Sequence, residues 1–241
     1  MKILVTNDDG IQAEGIRLLA EWAKKLGDVT VCAPKTQQSA KSHAITVHNP
    51  IEIREVRLMD GVEAYAVDST PVDCVRYATL GLNRKYDLIL SGVNNGFNIG
   101  EDILYSGTVA AIFEAALRDT CGIAFSTEWE NFEPARAHID EVYEYFMHNE
   151  LFAYNKIYNV NFPSAKYKGI QLCRQGGAYF TDEFVKTADG LFDQQGYSVY
   201  EYGRNLELDT DATMNGYVSI MPLSVKRDDA QAFEKLKRLN K

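Results

Sequence analysis

The first hydrophobic positions form a short run, Ile3-Leu4-Val5, which stops at the polar stretch Thr6-Asn7-Asp8-Asp9-Gly10. A run this short, ended by polar residues and a glycine, predicts a buried strand and its exit loop. Ile16, Leu19, Ala20, Ala23 and Leu26 then recur at helical spacing and are closed by Gly27; Val29 to Ala33 is a second apolar run, stopped by Pro34. Strand, helix and strand in this order predict a parallel pair with a right-handed crossover. Three β-like pieces follow without a helical pattern between them, Ile45 to Val47, Ile51 to Val56 and Ala64 to Val67, and predict antiparallel additions.

Thr70-Pro71 has the form of a helix cap followed by proline at the first helical position. Tyr86 to Ser91 predicts another buried strand, with a loop rich in glycine and asparagine running on to Tyr105. Val109, Ile112, Phe113, Ala116 and Leu117 mark one face of the most periodic helix. After Gly122, Ile123 to Ser126 predicts a strand; Ile139, Val142, Tyr143 and Phe146 predict a helix near 134–149, and Ile157 to Phe162 closes this half. The pattern over 1–163 is that of an α/β core with a mainly parallel sheet. From Ser164 to Asn205 the composition shifts to Gly, Tyr, Gln and Asp, which predicts a protruding β-rich arm; Tyr217 to Met221 predicts a strand returning to the body, so arm and returning strand span 164–225. The tail, 226–241, sets Ala230, Phe233 and Leu236 at helical spacing among Lys226, Arg227, Lys235, Lys237 and Arg238. A helix this short is marginal alone, so its apolar residues need a docking surface on this chain or on a second subunit.

Composition narrows the partners. The 241 residues are 46% hydrophobic and 24% charged, enough to bury a core, and the formal charge of −9 argues against a nucleic-acid polymer or an anionic membrane as the main partner. No segment reads as a signal peptide or a membrane span. Cys32, Cys74, Cys121 and Cys173 are widely spaced without a C-x-x-C pair, as expected for buried thiols in a reducing cytoplasm. His43, His48, His138 and His148 show no zinc spacing, although His43 follows the loop at Ser39 and lies within reach of it.

The acidic balance also sets a condition on any anion site: a metal or backbone N–H groups must reverse the local potential. Asp8 and Asp9 lie just beyond the carboxyl end of the first strand, the edge at which open α/β sheets bind ligands. Adjacent carboxylates repel, and a hard cation such as Mg²⁺ or Mn²⁺ holds such a pair together. Taken alone, the pair is equally compatible with a solvated turn that caps a helix. Gln38-Ser39-Ala40 follows the second strand, and Ser91-Gly92-Val93-Asn94-Asn95-Gly96 leaves the strand at 86–91. Each is an ordinary turn composition, yet a parallel sheet places all three segments on one edge. Ser106-Gly107-Thr108 precedes the most periodic helix, with Ser106 as its cap and the next two amides available to a phosphate, or to nothing more than a capped helix. Asn159 and Asn161 share a strand face and serve as buried structural hydrogen-bonding groups.

With these segments together, the chain resembles the survival protein E family of stationary-phase nucleotidases. The resemblance runs through Val5 to Ile11, Ala33-Pro34 with Gln38-Ser39, His43 with Ile45-Thr46, Thr70-Pro71 with Asp73-Cys74-Val75, Ser91 to Asn94, Tyr105 to Ala111, Asn159 to Pro163 and Gly216 to Ile220. It implies a Rossmann-like core with helices on both faces and hydrolysis of nucleoside 5′-monophosphates, with 3′-nucleotides and polyphosphate as further substrates. It also implies one divalent cation, Mg²⁺ or Mn²⁺, held by Asp8, Asp9, Ser39 and Asn94, and a homodimer or homotetramer that exchanges C-terminal segments. Asp8 and Asp9 would be the catalytic carboxylates, as base or as nucleophile, and Ser106, Gly107 and Thr108 would bind phosphate. Two departures stand out: Gln38 and Ala40 flank Ser39 where arginine and glycine are common, and Ser69 precedes Thr70-Pro71 where glycine is common. The alternative is a non-catalytic, Mg-binding receiver-like signalling domain with Asp60 as acceptor, but Asp60 follows no continuous apolar strand. Asn7 and Asp9 break the Asp-x-Asp of haloacid-dehalogenase phosphatases, and no G-x-G-x-x-G follows the first strand.

Overall fold

A computed structural model describes residues 1–239. Its chain begins β1 (Lys2–Thr6), α1 (Glu14–Ala23), β2 (Asp28–Pro34), β3 (Ile53–Val56), β4 (Glu63–Val67) and α2 (Pro71–Arg76). It continues with β5 (Leu88–Asn95), α3 (Gly107–Leu117), β6 (Cys121–Thr127), α4 (Glu133–His148), α5 (Leu151–Tyr154) and β7 (Ile157–Asn161). β8 (Gly169–Leu172), β9 (Phe180–Ala188), β10 (Leu191–Ser198), α6 (Asp209–Met214), β11 (Tyr217–Pro222) and α7 (Ala230–Leu236) follow.

Nine strands form one sheet in the order β3-β4-β2-β1-β5-β6-β7-β11-β8. From β4 to β7 all neighbours are parallel; β3 is antiparallel to β4, and β11 is antiparallel to β7 and parallel to β8. This is the α/β, Rossmann-like architecture expected. Because the pleat alternates sides, Ile3 and Val5 join a cluster with Ile16 and Leu19 of α1 and Val142 and Phe146 of α4. Leu4, between them, packs with Cys74 and Val75 of α2 and Ala111 and Ala115 of α3 on the other face. Both faces of β1 are therefore covered, which is why its pattern is continuous rather than alternating.

The topology also fixes where a ligand can sit. From β1 the chain works outward to β2 and β4, then returns past β1 to build β5, β6 and β7 on the other side. The order reverses between β1 and β5, and their loops part there to leave a crevice at the carboxyl edge.

Three expectations change. Ala64 to Val67 lies in β4, which is parallel to β2, so only β3 is an antiparallel addition. Ile45 to Val47 is not a strand; Thr46 N donates to Asp73 Oδ2 at 2.8 Å and its hydroxyl meets Ser69 Oγ at 2.7 Å, so side chains hold this segment where a ladder was expected. Within 164–225 only the β9–β10 hairpin stands apart from the main sheet, since β8 pairs with β11 at its edge. Of the tail at 226–241, residues 240 and 241 lie outside the described residues; α7 buries no side chain, and Phe233 and Leu236 are each 57% exposed.

Candidate metal and phosphate site

Beyond β1 the chain turns at once, because Asn7 Nδ2 donates to Gly10 O at 2.9 Å and Ile11 N donates to Pro34 O at 2.8 Å. Asp8 and Asp9 are thereby set at the switch point. Asp8 is buried, and the Thr108 hydroxyl donates to its Oδ1 at 2.5 Å while lying 3.4 Å from Asn94 Oδ1. One hydroxyl from α3 thus touches side chains from both strands that flank the crevice. Asp9 is half-buried and its Oδ2 accepts from Asn95 N at 3.0 Å.

The start of α3 lies directly against Asp8. Ser106 caps the helix by accepting from Val109 N at 3.0 Å. A Cβ on Gly107 would stand 2.9 Å from Asp8 Cβ, so any larger residue would force the helix and the carboxylate apart. The amides of Gly107 and Thr108 face that carboxylate, and with the Thr108 hydroxyl they pull its pKa down, but burial outweighs them and the net shift is upward. Asp9 is pushed up to about 6, by burial first and then by the neighbouring Asp8 charge. No lysine or arginine acts on either group.

Ser39 is placed differently. Gln38 N donates to Asp8 O at 2.7 Å, bringing the loop after β2 to the crevice, while the exposed Ser39 hydroxyl accepts from Gln37 Nε2 at 3.0 Å. Ala40 has φ 57°, the left-handed region in which glycine is the default residue, and this accounts physically for glycine being common there in the family it resembles. Ser42 fastens the loop to the turn before α3, donating from N to Tyr105 O at 3.0 Å and from Oγ to Leu104 O at 2.8 Å.

These residues can be tested against the divalent cation that the resemblance implies. Two acidic side chains stand side by side with raised pKa values and no protein cation to neutralise them. Asn94 Oδ1 adds a neutral oxygen beside Asp8. Thr6 Oγ1, Asn7 Oδ1 and Ser91 Oγ, at the same strand ends, are buried without a hydrogen-bond partner. Among the described residues no three His, Cys, Asp or Glu side chains cluster as a metal set, so any ion here relies on two carboxylates and neutral oxygens. That donor chemistry fits Mg²⁺ or Mn²⁺.

Comparison with known proteins bears on the whole chain. A family model described as survival protein SurE matches residues 3–182. The chain belongs to the SurE family. The 5′-nucleotidase SurE of Alkaliphilus metalliredigens is 38% identical to it over a 256-residue alignment covering 100% of this chain and 99% of that one. The 5′-nucleotidase SurE of Thermosipho melanesiensis is 39% identical, covering 93% and 92%. The crystal structure of the SurE protein from Aquifex aeolicus superposes with a TM-score of 0.81 at 32% identity over 100% of both chains.

In this SurE chain the site's support comes from Asn159 and Asn161, which the sequence singled out, and from Asn98 and Asp209, which it did not. Asn98 O accepts from Asn159 Nδ2 at 2.7 Å and from Asn161 Nδ2 at 2.9 Å, and Asn98 N donates back to Asn161 Oδ1 at 2.9 Å. These bonds pin the loop after β5 from within the sheet, the structural role expected of Asn159 and Asn161. Asp209, fully buried, accepts from Gly100 N at 3.0 Å and Gly176 N at 2.7 Å and holds the far end of the same loop.

His43 does not join the carboxylate pair. Its Nε2 lies 3.2 Å from Glu114 Oε2, and Glu114, almost fully buried on α3, also receives Arg76 at 3.1 Å and Arg118 at 2.8 Å. Burial alone would raise the Glu114 pKa, but His43 and Arg118 hold it below the ordinary carboxylate range. Glu114→Ala leaves Arg76 and Arg118 without their shared anion, and we expect a loss of about 3 kcal/mol in urea unfolding at neutral pH. That contribution is present above the ordinary pKa of 4.5 and disappears as pH falls through the lower folded value. The difference between wild type and Glu114→Ala should therefore shrink in acid.

Proposed function

We propose that this protein is a divalent-metal-dependent 5′-nucleotidase that hydrolyses nucleoside 5′-monophosphates to nucleoside and phosphate. The observation that carries the reading is the convergence of Asp8, Asp9 and Asn94 with the Thr108 hydroxyl at the β1/β5 crevice, in a chain of the SurE family whose curated relatives are named 5′-nucleotidases. Asp8, Asp9 and Asn94 hold the cation, with Ser39 as the fourth donor once its hydroxyl turns from Gln37. Such a cation supplies Lewis-acid neutralisation of the phosphoryl group and acidifies water.

The chain's own groups then divide the work. The Gly107 and Thr108 amides face the Asp8 carboxylate, and the positive end of α3 to which they belong favours the phosphate oxygens drawn to this edge by the cation. Asp8 is enclosed and serves as an anchor. Asp9, the more open of the two, keeps its Oδ1 free of the Asn95 bond and accepts the proton from the attacking water. Water oxygen bonds to phosphorus as the phosphorus–O5′ bond breaks; O5′ takes a proton from solvent water, and Asp9 returns the proton it accepted to solvent. Releases of phosphate from AMP, 3′-AMP and polyphosphate with Mg²⁺, with Mn²⁺ and after chelation test the reading. Turnover of AMP that chelation abolishes and metal restores is the expected result; turnover that ignores chelation would remove the cation from the mechanism.

The reading extends to assembly. Phe233, Leu236 and Leu239 at the tail and Phe184, Leu191 and Phe192 on the hairpin are all more than half exposed on the single chain. A second subunit would cover them, giving the homodimer or homotetramer that exchange of C-terminal segments implies. Deleting 226–241 should lower the particle mass by light scattering while AMP hydrolysis per chain persists, since the proposed metal ligands precede residue 95. A full-length monomer would end this part of the reading. The four free thiols support a cytoplasmic setting, and among the described residues no helix is long and apolar enough to cross a membrane.

A further inference from the structure

The two tryptophans of the chain have opposite environments. Trp22 is buried in the core and donates its indole N–H to Asp140 Oδ1 at 2.7 Å. Trp129 is 62% exposed; among the described residues its ring pairs with no other aromatic side chain and its N–H has no acceptor. The Trp129 ring is an aromatic face without an aromatic partner among the described residues, and its place in the fold indicates what it meets.

Trp129 lies in the turn after β6, at the same carboxyl edge as Asp8, Asp9 and Asn94. The turn is built rigidly against the β5 exit. Gly96 N donates to Thr127 O at 3.1 Å, Glu130 N to Asn95 Oδ1 at 2.6 Å, and Thr127 Oγ1 to Asn131 O at 2.7 Å. The result is seen at Gly96, where a Cβ would have only two near neighbours, Asn94 Nδ2 at 3.8 Å and Trp129 Cε3 at 3.9 Å. The Gly96 position therefore has a proposed metal ligand on one side and the indole on the other, which sets the ring close to Asn94. Further along the same edge Phe97 meets Tyr179 edge-to-face at 6.3 Å. The Tyr179 phenol is raised by burial and then by the carboxylate of Glu128, the residue before Trp129 in the chain.

We propose that Trp129 is the stacking platform for the base of the nucleotide, with Phe97 and Tyr179 extending the same wall, so that the ribose spans Gly96 between ring and phosphate. This deepens the nucleotidase reading and rests on it. Every base has a π-face, so the platform accepts all of them and favours purines by their larger overlap.

The test compares AMP with ribose 5-phosphate, which carries the same phosphate without a base, on wild type, Trp129→Phe and Trp129→Ala. Trp129→Ala should raise KM for AMP about tenfold, leave kcat within about a factor of two and leave ribose 5-phosphate kinetics unchanged, with Trp129→Phe close to wild type. Adenosine should quench wild-type tryptophan emission and fail to quench that of Trp129→Phe, in which only Trp22 emits. An unchanged KM for AMP in Trp129→Ala, or an equal loss for both substrates, overturns the proposal. So does a fall in particle mass with an unaltered AMP preference, which would make Trp129 a subunit contact. If wild type hydrolyses neither ester, the nucleotidase reading fails by itself, and adenosine quenching still decides whether Trp129 binds a base.

Discussion

Asp9→Asn will lower AMP hydrolysis by about a thousandfold, the scale of a lost general base, while circular dichroism and unfolding remain those of a folded protein. The asparagine keeps the shape of the side chain and can still accept from Asn95 N at the position where Oδ2 accepts at 3.0 Å. It removes the negative charge and the proton acceptor. Stability should move the other way in the absence of metal. Burial and then the Asp8 charge raise Asp9 from 3.8 to about 6, so the metal-free fold is favoured when Asp9 carries a proton. The stability tied to that proton is fully present below 3.8 and is lost as pH rises through about 6. In EDTA at pH 7.5, Asp9→Asn should therefore be more stable than wild type, by about 3 kcal/mol, with a flatter pH dependence between 4 and 7. Adding Mg²⁺ or Mn²⁺ should stabilise wild type and leave the variant almost unmoved. A variant that retains near-normal turnover and metal response would show that Asp9 is not part of the site.

Thr108→Val is expected to give the second largest effect, about 10- to 100-fold in metal affinity, because it removes the hydrogen bond that orients a proposed ligand. The two side chains have similar shape, and Thr108 is fully buried, so α3 should keep its packing. What disappears is the donor to Asp8 Oδ1, 100 residues away in sequence, and the contact with Asn94 Oδ1. A buried carboxylate oxygen that loses its partner costs about 1–3 kcal/mol, and in metal-free protein part of that cost is avoided by protonation. Mn²⁺ titration calorimetry measures the affinity, and inorganic phosphate inhibition of AMP hydrolysis measures whether the α3 amides still bind an anion. Thr108→Ser, which keeps the hydroxyl, should restore most of the affinity. Equal affinity in wild type and Thr108→Val would leave Thr108 with a packing role alone.

Much of this protein is written in short-range pattern. The β1-α1-β2 opening, the capped start of α3 at Ser106 and the cap at Thr70 all follow from neighbouring residues competing for a few backbone conformations and donors, and each is found where local chemistry predicts it. The candidate loops were legible for the same reason: polar residues at the ends of buried strands on a parallel sheet have one edge to occupy. Pairing direction was not legible. β4 and β3 have similar strand composition, yet one runs parallel to β2 and the other antiparallel to its neighbour, because direction is set by where the connecting chain can cross. Asn94 read as a loop residue lies inside β5, whose pairing with β6 breaks after Ser91 and resumes at Asn94. Nor did any local signal join the Thr108 hydroxyl to Asp8, His43 to Glu114, or the Trp129 ring to Gly96. Residue type and spacing determine which groups can donate, accept or coordinate. Which of them meet depends on the packing of elements distant in the chain, and only the tertiary structure decides it.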